Sequence, residues 1–402
     1  MWTRSSSMLI GCTLRRQLGS KPLQQVRHFG VSLPSFKVSQ ETMRAIKVHG
    51  PMDYRLETVP VPKPKPGEML MKVEATGVCA SDLKAYHGSA KFWGVEGDPN
   101  RPPWIERGVT PGHEIVGVIA DGDPDTLATR GFKLGDRVTV EQIVPCKTCR
   151  YCRNGDYHMC KIHNMFGFNK FDGGMAEYML VPARALVHKI SEHLHPYHAA
   201  FVEPLSCSLH AVERADIKFN NTVVVAGCGP LGLGCVVGAV AKGALNVIAL
   251  DMNDTKLGLA KKMGANHTFN IKEVDAVAKV KELTEGDGCD VYVEATGHPS
   301  AVTQGLAMLR KLGTFLEYSV FKEPVSCDWS IISDDKALTI KGAHLGPHCW
   351  PQAIKLMEKG NMPMEEICTH QFPLEKFQDA LDLVADSTGG SVKVSIVPGL
   401  KA

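Results

Sequence analysis

The chain has 402 residues, 44% hydrophobic and 22% charged, which excludes a disordered polypeptide and allows roughly two or three cored domains. Its 45 basic and 43 acidic side chains leave a net charge of +2, so no global positive field draws it to nucleic acid. The charge is unevenly placed. Residues 1–40 hold Arg4, Arg15, Arg16, Lys21, Arg27 and Lys37 and no acid, and the remainder is slightly acidic.

This basic, Ser-rich stretch (1–40) reads as an organelle transit peptide. Met8, Leu9, Ile10, Leu14 and Leu18 can form one apolar side of a short helix, and no run is long enough for a secretory signal. Mitochondrial import with removal near Arg27-His28-Phe29 is the expectation, and an inert tail on a cytoplasmic protein is the alternative.

Short strands are expected over 69–75, 114–120, 138–143 and 177–181, separated by Gly and Pro with no alternating helices, as in an all-β lobe. Within it Cys146, Cys149, Cys152 and Cys160 form C-x2-C-x2-C-x7-C. Thirteen cysteines, an odd number without a secretory signal, argue against a disulfide scaffold. Four thiolates this close suit one tetrahedral zinc, closed and therefore structural; an iron–sulfur cluster is the alternative. Lys147, Arg150, Arg153 and Lys161 would offset the charge of a zinc tetrathiolate. A zinc-ribbon nucleic-acid module would need a basic aromatic groove here, which the acidic remainder of the chain disfavours.

Residues 223–241 are uncharged and long enough to span a membrane, but five glycines and Pro230 interrupt them. A strand over 222–226, a glycine turn and a helix near 230–242 explain them better. Gly227, Gly229 and Gly232 then make G-x-G-x-x-G, with Pro230 and Leu231 inside it. A second strand ends at Asp251, about twenty residues on, as a dinucleotide-binding fold requires. Asp251 should accept from the adenosine ribose and repel a 2′-phosphate, favouring NAD over NADP, while Lys256 nearby weakens that preference. A helical pattern at 260–263, helices near 273–284 and 299–311, and strands at 290–295, 313–319 and 338–343 continue a βα series, hence a parallel sheet. Ala295 and Thr296, at a strand's C-terminal end, should border the nicotinamide ribose. Helices are expected at 348–360 and 374–386.

Three motifs remain: Gly77-Val78-Cys79-Ala80-Ser81-Asp82, Pro111-Gly112-His113-Glu114 and Phe201-Val202-Glu203-Pro204-Leu205-Ser206-Cys207. Cys79, His113 and a carboxylate would make a mixed sulfur, nitrogen and oxygen site, catalytic in character if one position stays open. Singly, each also reads as a buried thiol, a satisfied histidine or a helix-ending Glu-Pro pair. With Gly135-Asp136-Arg137-Val138, Gly173-Gly174-Met175-Ala176-Glu177-Tyr178, the cysteine cluster and the glycine fingerprint, they make the chain from about residue 43 onward resemble the zinc-dependent medium-chain alcohol and polyol dehydrogenases.

That resemblance implies an α/β protein: a GroES-like β-rich lobe over 41–205, a Rossmann domain with a doubly wound parallel sheet over 206–346, and a segment 347–402 completing the first lobe. It implies catalytic zinc at Cys79 and His113, with Glu114 and Glu203 as carboxylate ligands or exchanging with water. Cys207 falls where simple alcohol dehydrogenases of the family place a ligating cysteine, and rivals Glu203. Ser81 would relay the substrate proton and Asp82 would hold the ligating imidazole. Residues 86–94 and 141–146 bring the resemblance nearest the erythritol and threitol branch, so a short polyol and NAD are the expected partners, without membrane or nucleic acid. Relatives are commonly dimers or tetramers, which makes a homo-oligomer the expectation. An L-threonine or simple secondary-alcohol dehydrogenase, and a non-enzymatic nucleotide-binding member, are the alternatives. Lys393 reads equally as reaching the cofactor or as a solvated strand residue.

Overall fold

Alternating and continuous apolar runs sort this chain into two main sheets. A computed structural model describes residues 38, 40–386 and 391–401; the basic and apolar residues of the expected leader lie outside them. The first half supplies β1 (Thr42–Gly50), β2 (Asp53–Pro60), β3 (Met69–Val78), β4 (Glu114–Gly122), β5 (Arg137–Val140), β6 (Tyr178–Val181) and β7 (Val187–Lys189). The middle supplies β8 (Thr222–Ala226), β9 (Asn246–Asp251), β10 (His267–Asn270), β11 (Cys289–Glu294), β12 (Leu309–Glu317) and β13 (Thr339–Gly342), and the C-terminal part β14 (Cys368–Phe372) and β15 (Lys393–Ile396).

The six middle strands form one parallel sheet in the order β10-β9-β8-β11-β12-β13. Four of the five residues of β8 are buried, as expected of a parallel strand covered on both faces. The order reverses at β8, between β9 and β11, and ligands of such sheets sit beyond the strand C-termini at that point. The stretch 223–241 resolves into β8, a turn and the helix Pro230–Ala241. Among the described residues no helix is long and apolar enough to cross a membrane.

The other sheet has the order β14-β15-β3-β4-β5-β7, with β6 also on β3. The C-terminal strands are thus built into the N-terminal lobe, β15 lying antiparallel against β3. Its central strand β3 pairs with β4 so that Gly77 faces Glu114, which brings the ends of two distant motifs together.

The structure departs from the expected elements in several places, the short strands β7, β10 and β14 among them, and three departures have a plain physical reason. The β1–β2 hairpin carries no clear strand signal in the sequence, because Lys, Arg and Glu interrupt its alternation. The β lobe also contains short helices, among them Ala80–Tyr86, Ala90–Trp93 and Pro124–Thr129, too short to show a helical period. The helix expected over 299–311 ends at Met308, and the next strand starts at Leu309. Leu309 is fully buried and pairs with Cys289, so tertiary pairing overrides its helical propensity.

Candidate active site and metal centres

Cys79 follows the last residue of β3 and caps the helix Ala80–Tyr86. Its backbone N–H donates to Asp82 Oδ2 at 2.8 Å, and Asp82 Oδ1 lies 3.4 Å from His113 Nδ1. Asp82 therefore anchors the cysteine backbone and stands beside the imidazole, where carboxylates support metal-binding histidines. Burial alone would depress the His113 pKa, but the charges of Asp82 and Cys79 outweigh it and hold it well above the usual value. Glu114, the first residue of β4, is buried beside them. The ligand atoms of Cys79, His113 and Glu114 all lie within 4.8 Å of one another. An S, N and O set of this kind, with the histidine and carboxylate buried and the thiol half-buried, fits a catalytic zinc.

Glu203 and Cys207 are buried on the helix Val202–Ala215, one turn apart, and are not in that converging set. Gln142 Nε2 donates to Glu203 Oε1 at 2.5 Å, and the Cys207 thiol donates to the same oxygen at 3.2 Å. Burial, then the Glu114 charge, pushes the Glu203 carboxyl up to about 7. Burial and Glu203 also push the Cys207 thiol well above its ordinary value. Nothing in the sequence singles out Gln142, although its segment carries part of the family resemblance. Lys393 is not a solvated strand residue: it is buried and stands in the wall of the cavity that the two lobes share. It is ion-paired with Glu114, and its ammonium also donates to the Val78 carbonyl at 3.0 Å.

The four-cysteine cluster also closes. The sulfurs of Cys146, Cys149, Cys152 and Cys160 lie within 4.8 Å of one another. Cys146 Sγ accepts from the Thr148 hydroxyl at 3.5 Å and from the N–H groups of Cys149 and Thr148 at 3.3 and 3.4 Å, which pull its thiol down to about 5. Converging sulfurs of which one is already stabilised as thiolate fit a closed structural zinc.

Both lobes border a cavity of about 720 Å³. Cys79, Ser81, His113, Glu114 and Glu203 line it from one side, and Gly229, Pro230, Leu231, Gly232, Lys256 and Ala295 from the other. The glycine roles separate cleanly. Gly227 has φ 92°, and a Cβ there would meet the Ala295 carbonyl at 2.8 Å; at Gly232 it would meet the Gly227 carbonyl at 1.7 Å. At Gly229 a Cβ would meet no atom within 4 Å, which leaves open space at the N-terminus of the helix Pro230–Ala241, where a pyrophosphate can approach the backbone. Asp251 ends β9. Its carboxylate accepts from the N–H groups of Cys228, Met252 and Asn253 at 2.6, 2.7 and 2.9 Å. The Thr296 hydroxyl is engaged by Glu294, and neither Asp251 nor Thr296 is in the cavity wall itself.

Comparison with known proteins agrees with this geometry. Residues 65–192 match the alcohol dehydrogenase GroES-like domain and residues 230–359 match the zinc-binding dehydrogenase family. The chain is 60% identical over 359 residues to an erythritol/L-threitol dehydrogenase of Mycolicibacterium smegmatis, covering 89% of this chain and 98% of that protein. A zinc-binding dehydrogenase from Sinorhizobium meliloti, solved with NADP, superposes with a TM-score of 0.80 at 29% identity, covering 89% of this chain and all of that one. An alcohol dehydrogenase from Escherichia coli, solved with NADH, gives 0.77 at 26% identity, with 89% and 100% covered.

Proposed function

The chain belongs to the zinc-binding medium-chain dehydrogenases, and from that premise we propose that it oxidises a secondary alcohol of a short polyol, of the erythritol or threitol type, to a ketose, with hydride transfer to NAD. The observation that carries this reading is the shared cavity, in which Cys79, His113 and Glu114 face the Gly229–Gly232 turn from the opposite lobe. The 60% identical relative, named for erythritol and L-threitol, supplies the substrate class.

In this scheme Cys79, His113 and Glu114 hold a zinc ion, with Glu203 as the further carboxylate that exchanges on and off. A bound zinc supplies Lewis-acid polarisation of the substrate oxygen. Asp82 keeps the imidazole oriented. Lys393 balances Glu114, so that two carboxylates can stand in one buried site. Ser81, on the cavity wall, accepts the substrate hydroxyl proton and passes it toward solvent. The turn at 227–232 cradles the pyrophosphate, Asp251 holds the adenosine ribose, and Ala295 with Thr296 borders the nicotinamide ribose. The Asp251 carboxylate is the basis for choosing NAD over NADP. The basic leader supports a mitochondrial location.

The test is NAD reduction by the purified chain across C3–C6 polyols, L-threonine and simple secondary alcohols, with zinc content measured alongside. Tetritols are expected to give the highest kcat/KM. A clear preference for L-threonine or a monohydric alcohol would replace the polyol reading.

A further inference from the structure

Beyond the donor cluster the cavity wall is a run of packed rings. His113 lies 5.2 Å from Phe168 between ring centroids, Phe168 stacks on Trp104 at 5.0 Å, Trp104 meets His163 at 5.7 Å, and His163 stacks on His344 at 5.2 Å. The His163 and His344 Nε2 atoms are 3.4 Å apart. The two histidines come from different lobes. His163 lies just past Cys160 of the four-cysteine loop, and His344 just past β13. His163 has φ 52°, left-handed for a residue with a side chain, and its carbonyl accepts from the Trp104 indole at 3.2 Å. Such a conformation persists where its surroundings over-determine it, commonly at ligand sites.

Both imidazoles line the cavity that holds Cys79 and His113. Around them the wall includes Phe92, Trp104, Met165 and Phe168, with Lys91, His158 and His210 as titratable neighbours. Among the described residues neither Nδ1 has a hydrogen-bond partner. Partial desolvation on the cavity wall, then neighbouring imidazoles and Lys91, lowers both rings from the usual range, His344 to about 4, which favours their neutral forms. A neutral imidazole carries one N–H and one lone pair. When two are joined through Nε2, one Nδ1 remains a donor and the other an acceptor, which is the complement of a hydroxyl group.

We propose that His163 and His344 form the far end of the substrate site and read the hydroxyl groups that lie beyond the carbon being oxidised. The inference rests on the polyol reading above and deepens it: the pair distinguishes a polyol from an alcohol of the same length with methyl ends. A site built to hydrogen-bond a hydroxyl penalises a substrate that lacks one, because its own polar groups are left unpaired.

The experiment compares erythritol or threitol with 2,3-butanediol, which has the same carbon count and a secondary carbinol but methyl groups at both ends. The full-length zinc-loaded enzyme is assayed as wild type, His344→Phe, His163→Phe and His344→Gln. Both Phe variants should lose about tenfold or more in kcat/KM on the tetritol and stay within about twofold on the diol, with zinc content and NADH binding unchanged. His344→Gln, which keeps a donor and an acceptor, should recover part of the loss. Equal losses on both substrates, or no loss on either, in an enzyme active on tetritols overturn the proposal alone. A wild type that oxidises the diol but not the tetritol overturns the polyol reading, and this proposal with it.

Discussion

Lys393 of β15 and Glu114 of β4 form an ion pair in which both side chains are essentially sealed from solvent, at 2% and 1% exposure. Burial alone would depress the Lys393 pKa, but the charges of Glu114 and Cys79 more than offset this and hold it above the usual value. The pair fits only because position 77 is glycine: a Cβ there would meet Glu114 Oε2 at 1.8 Å and Lys393 Cε at 2.7 Å. The C-terminal strand thereby places a cation against the carboxylate of the donor cluster.

Removing one partner of such a pair strands the other charge. Lys393→Met should cost about 3–5 kcal/mol in urea unfolding. The double variant Lys393→Met/Glu114→Gln, which also removes the negative charge, should recover most of that loss. A single variant as stable as wild type would mean that the pair is not buried as described.

Glu203 gives a pH-dependent test in the metal-free protein. Its carboxyl titrates near 7 in the folded chain against an ordinary value of 4.5. Between those values the folded state holds a proton that the unfolded state has lost, so stability falls as pH rises through this window and stays lower above it. Glu203→Gln removes that term and keeps the acceptor for Gln142 and Cys207. Relative to wild type, the variant should gain about 3 kcal/mol between pH 4 and pH 8, measured by chemical denaturation. A stability difference that does not change with pH would place Glu203 in a solvated, ordinary environment.

The four-cysteine loop should behave as a staple rather than as part of the chemistry. Cys152→Ser should remove about one zinc per chain, cost several kcal/mol and open residues 146–160 to proteolysis. The remaining zinc should stay with the folded fraction. Elemental analysis and limited proteolysis check this, and full zinc retention would contradict it.

Asp251 should decide the cofactor. Three backbone N–H groups aim its carboxylate at the end of β9, beside the glycine turn. Asp251→Ser should shift the ratio of kcat/KM for NADP over NAD upward by about tenfold or more, by removing repulsion of a 2′-phosphate. An unchanged ratio would assign the discrimination to another group, with Lys256 the nearest candidate.

How much of this was legible depended on whether the signal was local. The cysteine spacing, the glycine fingerprint and Asp251 each lie within one or two dozen residues, and the structure keeps each of them together. The β-branched run at 222–226 announced a buried strand for the same reason. Lys393 could not be read: its partner is 279 residues away, and strand periodicity tells which face a residue takes but not what waits there. The His163–His344 contact, 181 residues apart, was hidden in the same way. Gln142 carried no chemical signal of its own until Glu203 was brought beside it. The β1–β2 hairpin escaped because charged residues on its outer face break the apolar alternation.

The central claim is that a metal held by Cys79 and His113 faces the dinucleotide turn across the cavity. Its most direct test is Cys79→Ser, assayed together for zinc content, NADH binding and tetritol oxidation. The expected result is loss of about one zinc per chain and of turnover, with NADH binding and the four-cysteine zinc retained. Wild-type turnover in a variant that has lost that zinc would contradict the account.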